Sequence, residues 1–129
     1  MRALTIAILT IMLGCTSYYF LSDQNVKVVN GYYDGITARI IVDALPFTDA
    51  KKIDWWQHNQ DEIRRKYHIP AGAQGPFLIT IYAFGDGYQE EGKEDRLCFP
   101  NVEPPSNCID KNILMTIWRT REGSIKYNI

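Results

Sequence analysis

Uncharged residues run without a break from Ala3 to Leu21 (ALTIAILTIMLGCTSYYFL), between Arg2 and Asp23. A run of this kind reaches the length at which a helix crosses a bilayer, about 20 residues at about 1.5 Å per residue. After Asp23 the pattern changes. Asn25 to Tyr33 alternates around Val26, Val28 and Val29 and predicts a strand. Asp34-Gly35 is a hairpin signal, and Ile36 to Val42 follows as the partner strand, with Ile36, Ala38, Ile40 and Val42 expected on one face. Leu45-Pro46-Phe47 leaves the sheet. Thr48-Asp49 then opens a helix, with Thr48 as the cap and Asp49 at the positive end of the dipole. Ile53, Trp56, Ile63 and Tyr67 recur at helical spacing, interrupted by Gln60. Arg64, Arg65 and Lys66 fall in the last turn, where cations are favoured, and Pro70 ends the helix. The triplet also reads as a phosphate or headgroup patch, but a well-capped helix terminus is the better reading.

Ala71 to Pro76 is a predicted loop. Phe77 to Phe84 (FLITIYAF) is an apolar, β-rich run that fits a central strand covered on both faces. Gly85 to Asp95 is polar and turn-rich, Arg96 to Phe99 is a short strand, Asn112 to Thr120 a longer one, and Ser124 to Ile129 closes a last hairpin after Glu122-Gly123. The fold class this predicts is α+β: an antiparallel sheet with one packed helix, preceded by a single N-terminal transmembrane helix or signal segment. Residues 1–22 are the expected membrane anchor and 23–129 a small α+β domain.

The flanks of the apolar run set the expected topology. A cation at its short N-terminal side favours keeping that end in the cytoplasm, so the remainder faces outward. Tyr18, Tyr19 and Phe20 suit an interfacial belt. A competing reading is a cleaved signal, in which Met12-Leu13-Gly14-Cys15 resembles a lipoprotein box with Cys15 as the lipidated residue. That pattern usually has Leu where Met12 stands, and the uncleaved anchor is preferred. The expected place is the bacterial inner membrane, single-pass, with the C-terminal domain in the periplasm; the alternative is a lipoprotein anchored at Cys15.

Composition narrows the picture further. Lys and Arg (14) nearly balance Asp and Glu (15), so no general field draws the chain to nucleic acid. Cys98 and Cys108 flank the Pro- and Asn-rich segment FPNVEPPSN. In an oxidising compartment they read as a disulfide contributing roughly 2–3 kcal/mol, and in a reducing one as two thiols. Two cysteines without a His pair do not make a zinc site. His58 and His68 do not have metal-pair spacing, and GxSxG, P-loop and dinucleotide patterns are absent. No metal, cofactor or catalytic residue is expected.

The richest stretch in charge is Gly85 to Asp95, where Asp86, Glu90, Glu91, Glu94 and Asp95 are interleaved with glycines. It reads first as a solvated loop and next as a recognition loop with Tyr88 as an aromatic anchor. A cation site comes third, because the spacing does not match a calcium loop. Trp55-Trp56 is the other conspicuous pair. Neighbours on a helix point about 100° apart, so Trp56 is expected in the core and Trp55 at the edge of the stripe.

Several blocks together resemble a known family: Leu45-Pro46-Phe47-Thr48-Asp49, Ile53-Asp54-Trp55-Trp56, Lys66-Tyr67-His68-Ile69-Pro70, Phe84-Gly85-Asp86-Gly87-Tyr88, Glu90-Glu91-Gly92-Lys93 and Asp95-Arg96-Leu97-Cys98-Phe99, with Cys108 after them. They resemble the enterobacterial "putative membrane protein" family, a domain of unknown function numbered nine-four-three. The resemblance implies a small membrane protein of enteric bacteria and carries over no catalytic residue. By analogy of size and architecture, the expected role is a non-enzymatic protein-binding domain, such as immunity against an envelope-acting toxin. Asp86, Tyr88, Glu90, Glu91, Glu94 and Asp95 are then the candidate partner-binding residues. The alternatives are an accessory subunit of an envelope complex and, last, a hydrolase with an acidic site.

Overall fold

The computed structural model describes residues 26–129. The expected N-terminal span and Cys15 lie outside the described residues. Among those described, no helix is long and apolar enough to cross a membrane.

The described residues fold into seven strands and one long helix: β1 (Val28–Tyr33), β2 (Thr37–Val42), α1 (Asp49–Tyr67), β3 (Leu78–Ala83), β4 (Arg96–Cys98), β5 (Cys108–Asp110), β6 (Ile113–Arg119) and β7 (Ile125–Asn128). The fold class is α+β, with a mostly antiparallel sheet and one helix packed on it. The main sheet has the order β1-β2-β3-β6-β7, so the apolar run at β3 is central, as its sequence predicts.

One pairing departs from the expected antiparallel arrangement. β2 and β3 run parallel, Thr37 opposite Leu78 through Val42 opposite Ala83. The cause is α1. A helix of this length carries the chain back along the sheet to the end where β2 began, and the next strand must then run the same way.

α1 begins and ends as its local chemistry dictates. The Thr48 side chain accepts a hydrogen bond from the Lys51 amide at 3.2 Å. At the other end His68 takes a left-handed conformation, and Ile69 N–H closes on the Arg64 carbonyl before Pro70. The buried face of α1 includes Trp56 and Ile63 and meets Ala38, Ile40, Val42, Ile79, Ile81, Met115 and Ile117 from the sheet. Trp55 is also buried, at 7 % exposure, its ring 6.5 Å from that of Trp56. It sits further inside than an edge position suggests, because it belongs to the same core cluster as Trp56 and Ile63, against which Val26 and Val28 pack. Ile36 does not join the face of Ala38, Ile40 and Val42. It lies in the hairpin turn, two-thirds exposed, with its amide bonded to the Asp34 carboxylate at 2.8 Å.

The opposite face of the sheet has its own cover. β4 and β5 form a separate two-stranded sheet, with Cys98 directly opposite Cys108. It lays Phe99 and Ile109 against Ile41, with Tyr32, Tyr82 and Tyr88 around them. Sequence patterning misses β5 and this second core, since strands of three residues are too short to display a period.

Candidate functional site

The acidic segment after β3 is held at several points. Gly87 N–H closes a turn on the Phe84 carbonyl at 2.9 Å. Gly87 sits at φ 88°, a conformation glycine adopts without strain. Tyr88 turns its ring edge-on to Phe84, 5.0 Å between centroids, and is half-buried in the second core. Burial pushes its phenol up from the ordinary value, and a hydrogen bond with the Asn30 side chain opposes this. Gln89 and Cys108 exchange backbone hydrogen bonds of 2.6 and 3.0 Å.

Arg96 then gathers the loop. Its guanidinium donates to the Asp110 carboxylate at 3.0 Å, to the Glu90 carbonyl at 2.9 Å and to the Glu94 carboxylate at 3.2 Å. Lys111 holds both Asp95 oxygens at 2.9 Å. The five predicted acids therefore divide. Glu94 and Asp95 are paired with cations, whereas the carboxylates of Asp86, Glu90 and Glu91 have no ion pair among the described residues. Tyr88 is placed as a support for the loop rather than as a projecting ring. Among the described residues, no group of three or more His, Cys, Asp or Glu side chains is positioned to hold a metal ion.

Cys98 and Cys108 form a disulfide with an S–S distance of 2.04 Å. The segment between them is fastened to β1. Asn101 Nδ2 donates to Asn30 Oδ1 at 3.0 Å and to the Gly31 carbonyl at 3.1 Å, and Asn107 Nδ2 donates to the Phe99 carbonyl at 3.2 Å. Disulfide loop and acidic loop thus form one continuous, cross-tied surface.

A second concavity lies at the other end of the sheet, which sequence reasoning did not single out. It is a cleft of about 850 Å³ between the end of α1, the 71–73 turn and the β6–β7 hairpin. Arg64, Arg119 and Arg121 line it together with Gln60, Phe77 and Ile125. Arg64 donates to the Pro70 carbonyl at 2.7 Å and lies 5.8 Å over the Trp56 ring. Burial pushes its guanidinium below the ordinary value. Arg119, at the end of β6, donates to the carbonyls of Gly72 and Gly75. In the sequence Arg64 stands more than fifty positions from the other two, and only the fold brings them together. The local signals were the Arg64-Arg65-Lys66 triplet, which also reads as a phosphate or headgroup patch, and the two arginines that precede the turn at Glu122-Gly123.

The family model described as "Enterobacterial putative membrane protein (DUF943)" matches residues 2–129. No curated protein and no solved structure matches the chain.

Proposed function

Because the chain belongs to the enterobacterial membrane-protein family matched over residues 2–129, we propose that it is a membrane-anchored periplasmic protein-binding domain without catalytic activity, held by its N-terminal apolar segment. In the sharpest version it confers immunity to an envelope-acting toxin. The observation that carries this reading is the cross-tied acidic surface. Among the described residues, Asp86, Glu90 and Glu91 have no ion-pair partners, on a loop that Arg96, Lys111 and the Gln89–Cys108 bridge keep in place. An ordered loop loses little conformational entropy when a partner docks. An acidic one speeds the approach of a basic partner through complementary fields.

Strand polarity supports the placement. Val28 pairs with Val42, and Val42 lies opposite Ala83, so the chain comes in at the end of the sheet from which the acidic loop departs. A partner reaching that loop meets the domain beside its anchor, which suits a toxin working at the membrane.

The test is co-culture. A strain lacking the gene and any neighbouring copies is grown in contact with its parent. The expected result is inhibition of the deletion strain, relieved by an anchored wild-type copy and not by one carrying Glu90→Lys and Glu91→Lys. Coexistence while the parent's toxin systems are active rejects immunity. Full protection by the charge-reversed copy removes the acidic loop from the contact.

A further inference from the structure

The positive charges of this domain are not treated alike. Arg96 and Lys111, beside the acidic loop, are paired with carboxylates. Arg64, Arg119 and Arg121, which converge on the cleft at the far end, have no carboxylate within ion-pair distance among the described residues. Two of the three are not idle surface chains. Arg64 is half-buried and braced by the Pro70 carbonyl and the Trp56 ring, and Arg119 is braced by two carbonyls of the 72–75 turn. Bracing of this kind fixes where a guanidinium points and neutralises none of its charge. A guanidinium has five N–H donors. Carbonyl bonds account for one nitrogen of Arg64 and two of Arg119, so each keeps donors to offer, and Arg121 keeps all of its own.

The cleft is also apolar. Phe77 and Ile125 line it at 49 % and 53 % exposure, so an occupant would cover surface that water now wets. Its volume of about 850 Å³ falls within the usual range for small-molecule sites, roughly 300–1,000 Å³. The combination is specific: fixed forks that match two oxygens of a carboxylate or phosphate, next to an aromatic and an aliphatic side chain.

We propose that this cleft is a binding site for an oxyanion, carboxylate or phosphate, carried on an apolar body. Arg121 closes over the anion, Arg64 and Arg119 fix its position, and Phe77 and Ile125 cover the apolar part. The site stands apart from the acidic surface and does not depend on the immunity reading.

The experiment uses the full chain, nitrogen-labelled and in detergent micelles, with amide NMR as the readout. The probes are N-acetylphenylalanine, its neutral amide, phenyl phosphate and inorganic phosphate. Expected are saturable shifts centred on Gly72, Ala73, Thr120, Gly123 and Ile125 with at least one of the two aromatic anions, and none with the amide. Saturation by the carboxylate alone assigns a carboxylate ligand, by phenyl phosphate alone a phosphate ligand, and by both the shared chemistry. Arg121→Gln and Phe77→Ser, both at exposed side chains, should each weaken the response at least about tenfold. The proposal is overturned if neither aromatic anion shifts these amides by roughly 10 mM, or if the neutral amide matches the acid. Inorganic phosphate binding as tightly as phenyl phosphate overturns the apolar half, and an unchanged response in Arg121→Gln overturns the arginine's role.

Discussion

Asp34 closes the first hairpin with its own side chain. One carboxylate oxygen accepts from the amides of Ile36 at 2.8 Å and Thr37 at 2.7 Å, and the other from the Thr37 hydroxyl at 3.2 Å. The Thr37 and Ile36 amides, in that order, hold its pKa below the ordinary value of 3.8. A carboxyl whose pKa is lower in the folded chain adds stability above the unfolded value and loses it as pH falls through the folded one. Wild-type stability should therefore exceed that of Asp34→Asn above about pH 4 and converge with it in stronger acid. Chemical denaturation of both across pH measures this, and curves that stay parallel would show that the charge does not matter. The side chain is exposed, so the gap is small. Gly31 illustrates a different local demand. A Cβ there would stand 2.7 Å from the Tyr67 ring, so the close approach of α1 to β1 needs glycine. The Asp34-Gly35 hairpin was legible in the sequence because its chemistry is local. The need for Gly31 was not, because Tyr67 is a distant neighbour in the chain.

Among the elements, α1 followed its sequence most closely. Thr48 and Asp49 act on its first turn, Arg64, Arg65, Lys66 and Pro70 on its last, and the apolar stripe links turns three or four residues apart, so each signal is local. The small β4–β5 sheet is the opposite case. Three pairs define it, Arg96 with Asp110, Leu97 with Ile109 and Cys98 with Cys108, and a disulfide joins the last. Replacing both cysteines by serine should lower stability by about 2–3 kcal/mol, as expected for a short closed loop. It should also free the acidic segment, since Gln89 pairs with Cys108. Denaturation and amide hydrogen exchange read the two effects separately. Unchanged protection at Gln89 would show that the remaining ties, those of Arg96 and Lys111 among them, order the loop without the disulfide. Asp86, Glu90, Glu91, Glu94 and Asp95 were legible in the sequence as a charged loop. Which of them stay unpaired was not, because Lys111 and Asp110 come from a later part of the chain.

For the whole molecule, the sheet has a core on each face, α1 covering one and the β4–β5 sheet part of the other. Phe99 is fully buried in the second core, and Phe99→Ala should cost about 3–5 kcal/mol. Phe47 is fully exposed, and Phe47→Ser should change stability by no more than about 0.5 kcal/mol. Urea unfolding of the two variants checks the contrast, and a near-neutral Phe99→Ala would mean that the second core contributes little. The molecule is also polar end to end. The acidic loop lies at the end of the sheet where β1 begins, and the arginine cleft at the other. A nearly balanced net charge hides this division, because a sum carries no information about position. By itself the sequence determined what depends on near neighbours: an uncharged run of membrane-spanning length, a capped amphipathic helix, the Asp34-Gly35 hairpin and the central apolar strand. Only the tertiary structure decided the parallel β2–β3 contact, the second core, which acids Arg96 and Lys111 take, and the meeting of Arg64 with Arg119 and Arg121. Those outcomes rest on contacts between distant segments, and a distant segment leaves no periodic trace in the residues it will touch.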